Sequence, residues 1–259
     1  MTIASTPAHT WVRDLLAAWR HARWKYPEWP LGLLAVAAWM AMFAMSADTT
    51  SEHSSHPAMH THSVQSLTAP STYALHLTVL HWTLMVMAMM VPTILPSART
   101  VALGSRWRRR QRGQALFALG YLTPWITLGA VIVGALSATS GRVSHWLFPG
   151  ALAAAALWEL TRWKVRLLRA CHRIRPIPPD GWRADAGCLM RGLFHGGLCI
   201  GACWALMTAM MVADHVAATL LMLPLTTAVV IEKLASRPDR VVRPMAAALG
   251  AAAAVSTLV

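Results

Sequence analysis

Residues 191–213 read RGLFHGGLCIGACWALMTAMMVA, and Arg191 is the only one of them that is always charged. Roughly 20 helical residues are enough to cross a hydrocarbon core about 30 Å thick. A segment this long and this apolar therefore predicts a membrane-spanning helix. The whole chain agrees with this prediction, because 56% of its 259 residues are hydrophobic and 13% are charged, against about 25% charged residues in soluble domains.

Six further apolar segments follow the same pattern. Together with the first they predict seven spans, at about residues 30–47, 73–95, 115–137, 145–162, 191–213, 216–232 and 242–259. We therefore expect an all-α fold, a polytopic transmembrane helix bundle. Residues 1–29 form a basic N-terminal arm, and residues 30–259 form a single transmembrane helical domain.

The basic residues are distributed unevenly between the gaps that separate these segments. Of the 23 Lys and Arg residues, 22 lie in every second gap, and Arg142 is the exception. Loops rich in Lys and Arg stay on the cytoplasmic side, so the N-terminus is predicted to be cytoplasmic and the C-terminus periplasmic. This indicates a multi-pass protein of the bacterial inner (plasma) membrane. The net charge of +13 then reflects loops that lie against anionic lipid, and we expect no nucleic-acid partner.

The fifth span carries the most informative polar residues. His195, Cys199 and Cys203 follow at i, i+4 and i+8, which places them on one helix face. Asp214 and His215 follow at the predicted outer end. Imidazole and thiolate groups bind soft and borderline metals, and thiolate favours Cu(I). The alternative is structural, since free cysteine also packs as a small hydrophobic residue.

The other side of the same span carries small residues. Gly197, Gly201 and Ala205 form a stripe on which a neighbouring helix can pack closely. The sequence therefore predicts one face for chemistry and a separate face for packing.

The second span carries a similar row of possible ligands. His81, Met85 and Met89 follow at i, i+4 and i+8. This helix is predicted to run antiparallel to the fifth span, so His81 and Met85 can face its outer half and form a mixed nitrogen and sulfur site. The alternative is that the methionines only fill space in the core.

The predicted outer loop 48–72 contains no Lys or Arg and four histidines, which are His53, His56, His60 and His62. Such a composition can capture a transition metal weakly. The alternative is a flexible polar linker.

Two acidic residues lie near the predicted cytoplasmic ends of spans. Glu159 is one turn from Arg162, and Glu232 is followed by Lys233. Ion pairs at the membrane interface explain both, so we assign them no functional role.

Several motifs stand in a fixed order along the chain. They are HWxxMxxAMMxPxxxP at 81–96, WELTxxK at 158–164, a cysteine at 171, GxxxGxxCxGxCWALM at 192–207 and Glu232-Lys233. Over about residues 75–235 the chain thereby resembles the predicted metal-binding integral membrane proteins of bacteria, a family of unknown function. The resemblance implies a membrane protein that binds metal.

The chain departs from that family at three places. The family often has paired cysteines where Ala202-Cys203 stand, a second cysteine at the position of Leu167, and Met-Asn where Asp214-His215 stand. This chain therefore has fewer thiols and more His and Asp.

From these features we expect a protein that binds a transition metal, with copper favoured, and transports or delivers it. The metal site would use Cys199, Cys203, His81, Met85 and His195, with Asp214 and His215 at the outer mouth. Expected partners are the lipid bilayer and either a membrane metalloenzyme or a periplasmic metal carrier. The alternatives are a haem-binding or redox protein that uses histidines and a non-catalytic membrane scaffold. No catalytic residue is predicted.

Overall fold

The computed structural model describes residues 25–53, 72–138, 146–172, 181–213, 215–235 and 239–257, together with Arg13 and Pro178. The side chains of 47–53, 72–75, 136–138, 215–220 and 239 are not among those described. Within these ranges the regular structure is helical and contains no β-strand, so the predicted all-α fold is confirmed.

Eight α-helices make up the part of the chain that the structure describes. They are α1 Trp29–His53, α2 Thr72–Gly104, α3 Arg110–Ala138, α4 Leu147–Glu159, α5 Arg162–Cys171, α6 Gly181–Val212, α7 His215–Leu234 and α8 Asp239–Ser256. A 3-10 turn, Trp107–Arg109, precedes α3.

In the part of the chain that the structure describes, four helices contain segments long and apolar enough to cross a membrane, which is fewer than the seven predicted. The segments are Trp29–Ser46, His76–Gly104, Trp107–Ala135 and Gly181–Val212. They belong to α1, α2, α3 and α6. The helix α4 has 13 residues, and these rise about 20 Å where the hydrocarbon core is about 30 Å thick. The helix α8 is not among the four, and its first two residues, Asp239 and Arg240, are charged.

The helix α6 begins ten residues before the predicted fifth span. Its first turns contain Arg183 and Asp185, which hydropathy assigns to a loop. The structure gives Asp185 two partners, because it forms ion pairs with Arg109 and with Arg112, the second at 2.8 Å. These pairs hold the start of α3 and the start of α6 at the same end of the bundle.

The helices α3 and α6 pack closely through glycines. A Cβ atom on Gly192 would overlap the carbonyl oxygen of Phe117, and one on Gly120 would overlap the carbonyl oxygen of Leu189. Gly196 lies against α3 in the same way. Backbones can approach this closely only where a side chain is missing. These contacts align α3 and α6 in parallel along their lengths.

The predicted packing stripe is therefore partly wrong. Gly197 has open space around its Cα atom, whereas Gly201 does lie against another helix, at the side chain of Leu167 in α5. The closest packing uses Gly192 and Gly196, which lie on the same side of α6 as the cysteines at about 100° per residue. The closest packing and the two cysteines thus share one face of α6.

We expect Gly192→Ala to destabilise the protein by about 1–3 kcal/mol, because the added methyl group forces two backbones apart. Gly197→Ala is the matched control, and it should leave stability unchanged or raise it, since alanine favours a helix over glycine. Thermal unfolding of the two purified variants in one detergent measures the difference. Equal midpoints for both variants would contradict the packing described here.

Candidate metal centre

Cys199 lies in the buried core, where four helices meet. Its sulfur atom is 3.0 Å from the hydroxyl of Tyr121 on α3 and 3.9 Å from the sulfur of Met90 on α2. The ammonium group of Lys233 on α7 donates a hydrogen bond to it over 2.6 Å. The thiol itself is fully buried. The centre therefore combines a thiol, a thioether, a phenol and an ammonium group.

Lys233 is a buried cation with few neighbours able to balance its charge. It is 6% exposed and also donates to the hydroxyl of Thr93 over 3.1 Å. The ring of Tyr121 lies 6.0 Å from its nitrogen. Among the described residues, no carboxylate forms an ion pair with Lys233. Because buried charges are normally paired, we infer that the Cys199 sulfur carries the balancing negative charge.

A second charged cluster lies beside the thiols. Lys164 on α5 forms ion pairs with Glu159 of α4 and with Glu232 of α7, the latter at 2.8 Å. All three side chains are buried. Burial by itself lowers the pKa of Lys164, but the carboxylate of Glu232, with Cys203 and Glu159, raises this pKa above its ordinary value. Lys164 is therefore a cation held by two acidic residues.

The sequence predicted that Glu159 and Glu232 form ion pairs at the membrane interface, and both predictions are wrong. Glu159 pairs with Lys164 and not with Arg162, and Glu232 and Lys233 are buried residues with different partners. The sequence did contain a signal for these buried charges, namely acidic residues and lysines inside or next to apolar segments. Charged groups are costly inside a membrane and usually have a functional role where they occur.

Two further cysteines lie near this centre. Cys203 is one helical turn beyond Cys199 and is 2% exposed. Cys171, at the end of α5, lies within electrostatic range of Lys233 and Cys199, and burial raises the pKa of its thiol to about 11. Cys188 lies farther along α6, near Arg109. All four cysteines are free thiols.

The structure places the other predicted ligands at different positions. His195 lies one turn before Cys199 on α6, between the rings of Phe117 and Tyr121, each 5.9 Å away. His81 is nine residues from Met90 on α2, which corresponds to about 13 Å along the axis and about half a turn around it. Met90 therefore contacts Cys199 from the face of α2 opposite to His81. The ligand roles of His81 and His195 stay predictions.

Methionines line much of the core around the centre. Met85 is 2% exposed, and five others are equally enclosed in the same buried cluster, namely Met89, Met90, Met207, Met210 and Met222. The i, i+4, i+8 row that starts at His81 leads to Met85 and Met89 and misses Met90. The contact between Met90 and Cys199 depends on how α2 is rotated against α6, which local spacing does not determine.

Several predicted ligands lie outside the described side chains. His53 is the last residue of α1 and His215 the first of α7, while Asp214, His56, His60 and His62 fall outside the described residues. Within the described part, no group of three or more His, Cys, Asp or Glu side chains is arranged to hold a metal ion. The soft ligands brought together there are the thiols of Cys199 and Cys203 and the thioether of Met90.

These features define an all-helical protein with four helices of membrane-spanning length and a buried centre of cysteine, methionine and lysine. A family model described as PpoB2, copper chaperone, matches residues 79–256, and the chain belongs to this family. The matched region contains the whole centre. None of the curated proteins and none of the solved structures matches the chain. The family is described by its relation to copper, which agrees with the predicted relation to a metal-related family and does not extend to the membrane-protein part of that prediction.

Proposed function

We propose that this protein binds Cu(I) within a membrane-embedded helix bundle and delivers it to a copper-requiring partner. The observation that carries the proposal is the 3.9 Å contact between the sulfur atoms of Cys199 and Met90, with Cys203 one turn away. Thiolate and thioether ligands select Cu(I) over harder cations. Membership of a family described as copper chaperones supports the same metal. Copper is here the cargo of the protein.

The proposed path to the centre starts at the outer surface. The histidines of loop 48–72 (His53, His56, His60 and His62) capture the metal, and Asp214 and His215 form the mouth. His81, Met85 and His195 serve as further ligands along the bundle. The buried methionines of α2 and α6 support such a path, because thioethers bind Cu(I) without adding charge to an apolar interior.

The proposed location is the bacterial inner membrane, with the N-terminus in the cytoplasm and the C-terminus in the periplasm. The helices α4, α7 and α8 complete the seven predicted crossings as shorter spans, which local thinning of the bilayer accommodates. The ion pairs of Asp185 with Arg109 and Arg112 support this orientation, because they hold the starts of α3 and α6, which both follow basic segments of the sequence, at one end. The receiving partner is a membrane metalloenzyme or a periplasmic metal carrier.

Anaerobic titration of the purified full-length protein with Cu(I), in competition with a chromogenic chelator, tests the proposal. We expect Cys199→Ser and Cys203→Ser each to weaken binding by about a hundredfold or more, since losing even residues that only orient metal ligands costs about 10–100-fold. Cys188→Ser is the matched control, because Cys188 is buried in the same helix away from the centre.

The outcomes separate the alternatives. A wild-type protein without Cu(I) affinity, or a Cys188→Ser variant as weak as Cys203→Ser, would overturn the copper assignment. An absorption spectrum with a Soret band would indicate the haem-binding alternative instead.

A second substitution pair tests the thioether. We expect Met90→Leu to weaken Cu(I) binding by about tenfold, because leucine has a similar volume and no sulfur. Met89→Leu should leave the affinity unchanged, although Met89 and Met90 are both fully buried. The same competition titration measures both variants, and an equal loss in the two would remove Met90 from the site.

A further inference from the structure

A cavity of about 420 Å³ lies where the end of α4, the helix α5 and the start of α8 meet. This volume falls within the range of small-molecule sites, about 300–1,000 Å³. The polar part of its lining consists of Arg162, Arg166, Arg169, Arg243, Glu159 and Thr161. None of these side chains is among the proposed copper ligands.

The arginines of this cavity converge from two helices. Arg162, Arg166 and Arg169 follow at i, i+4 and i+7, so they lie along one face of α5. Arg243 adds a fourth guanidinium group from α8. Within the described part of the chain, neither Arg162 nor Arg243 forms an ion pair. Guanidinium groups in such number match the oxygens of a phosphate, which they bind in a bidentate fashion.

One buried acceptor in the lining lacks a donor. Glu159 is 3% exposed, and its Oε1 atom is taken by Lys164. Its Oε2 atom has no hydrogen-bond partner among the described residues. A buried carboxylate oxygen without a donor is costly. This oxygen has no surface open to the cavity, so a ligand bound there contacts the arginines and not this carboxylate.

The surroundings of the cavity favour a lipid as the source of that phosphate. Leu160 and Trp163, at the junction of α4 and α5, are 62% and 64% exposed. The helix α5 itself alternates between exposed arginines and buried residues, which is typical of a helix that lies in the membrane interface. Tryptophan is enriched at the level of the headgroups. Acyl chains can thus lie along Leu160 while the headgroup enters the cavity.

We propose that this cavity binds the phosphate group of an anionic glycerophospholipid, such as phosphatidylglycerol. In the orientation proposed above, the lipid belongs to the cytoplasmic leaflet. The site is separate from copper binding and does not depend on it.

Native mass spectrometry of the full-length protein in detergent, with added lipid, tests this site. We expect phosphatidylglycerol to be retained in preference to phosphatidylcholine, because the choline cation of the latter offsets the phosphate charge that the arginines attract. The variant Arg166→Gln/Arg243→Gln should lose retention by about tenfold for each arginine, because each charge-assisted hydrogen bond contributes about 1.5–3 kcal/mol. The control Arg108→Gln/Arg183→Gln removes two exposed arginines that do not line the cavity.

A third arm, competition by glycerol 3-phosphate, distinguishes a headgroup from a soluble phosphate ester. Displacement of the lipid by this compound would support the phosphate site and assign it to soluble esters, whereas persistence of the lipid supports the headgroup. Equal retention of the two lipids by wild type, or equal losses in the two double variants, would overturn the proposal. The copper titration is unaffected by any of these results, so the two proposals fail separately.

Discussion

Lys164→Met is expected to destabilise the protein by about 3–5 kcal/mol, the usual effect of removing one partner from a buried ion pair. Lys164 is 1% exposed, and it is the cation that both Glu159 and Glu232 contact. Without it, two carboxylates face each other in the core. Apart from the ion pair with Lys164, neither oxygen of Glu232 has a hydrogen-bond partner among the residues described, so no other group there compensates.

The same cluster predicts that further substitutions restore stability to the Lys164→Met variant. Adding Glu159→Gln and Glu232→Gln to Lys164→Met removes the unpaired charges, and the triple variant should recover most of the lost stability, because apolar or neutral replacements of a whole buried cluster are often tolerated. Arg108→Met is the matched control, since Arg108 is exposed and should unfold as wild type does. Unfolding midpoints in mixed detergent micelles measure all four proteins. A Lys164→Met variant as stable as Arg108→Met would show that the cluster does not hold the helices together.

The second large effect concerns the contact between Cys199 and Lys233. Cys199→Ser should destabilise the protein by about 3–5 kcal/mol, because a serine hydroxyl does not ionise and Lys233 becomes a buried cation without a counter-charge. Lys233→Met should cost less, because the thiol can then take up a proton and become neutral. The double variant Cys199→Ser/Lys233→Met should be more stable than Cys199→Ser alone.

A double-mutant cycle measures the interaction between Cys199 and Lys233. The coupling energy between Cys199→Ser and Lys233→Met should reach about 0.5–3 kcal/mol, the range for residues in direct contact. The parallel cycle with Cys188→Ser and Lys233→Met should be additive, because Cys188 lies near Arg109 rather than near Lys233. Copper-free protein is used throughout, so the result is independent of metal binding. Additive behaviour in the first cycle would argue against a thiolate at Cys199.

Much of the fold can be predicted from local sequence. The helices α2, α3 and α6 follow from long apolar segments, because backbone hydrogen bonds in lipid must be satisfied within the helix itself. The ends of the helices were less predictable. The first turns of α6 are polar, and their stability comes from the ion pairs of Asp185 with Arg109 and Arg112, which join distant parts of the chain.

The site was predictable in part. The spacing of Cys199 and Cys203 placed both thiols on one face of α6, and the structure brings them to the core. Spacing could not show that Met90, Tyr121 and Lys233 complete the centre, because each belongs to another helix. Their approach depends on the rotation and register of whole helices, and for α3 and α6 the glycine contacts fix both.

The sequence by itself determined that the chain is helical, that several helices suit a membrane, and that two thiols share one face of α6. These are local properties, which depend on the residues of a single segment. The tertiary structure alone decided which partners the thiols meet and that Lys164, Glu159 and Glu232 form one buried cluster. The physical reason is that a buried charge must find its counter-charge wherever the packing of helices places it, and in this protein the partners come from different helices.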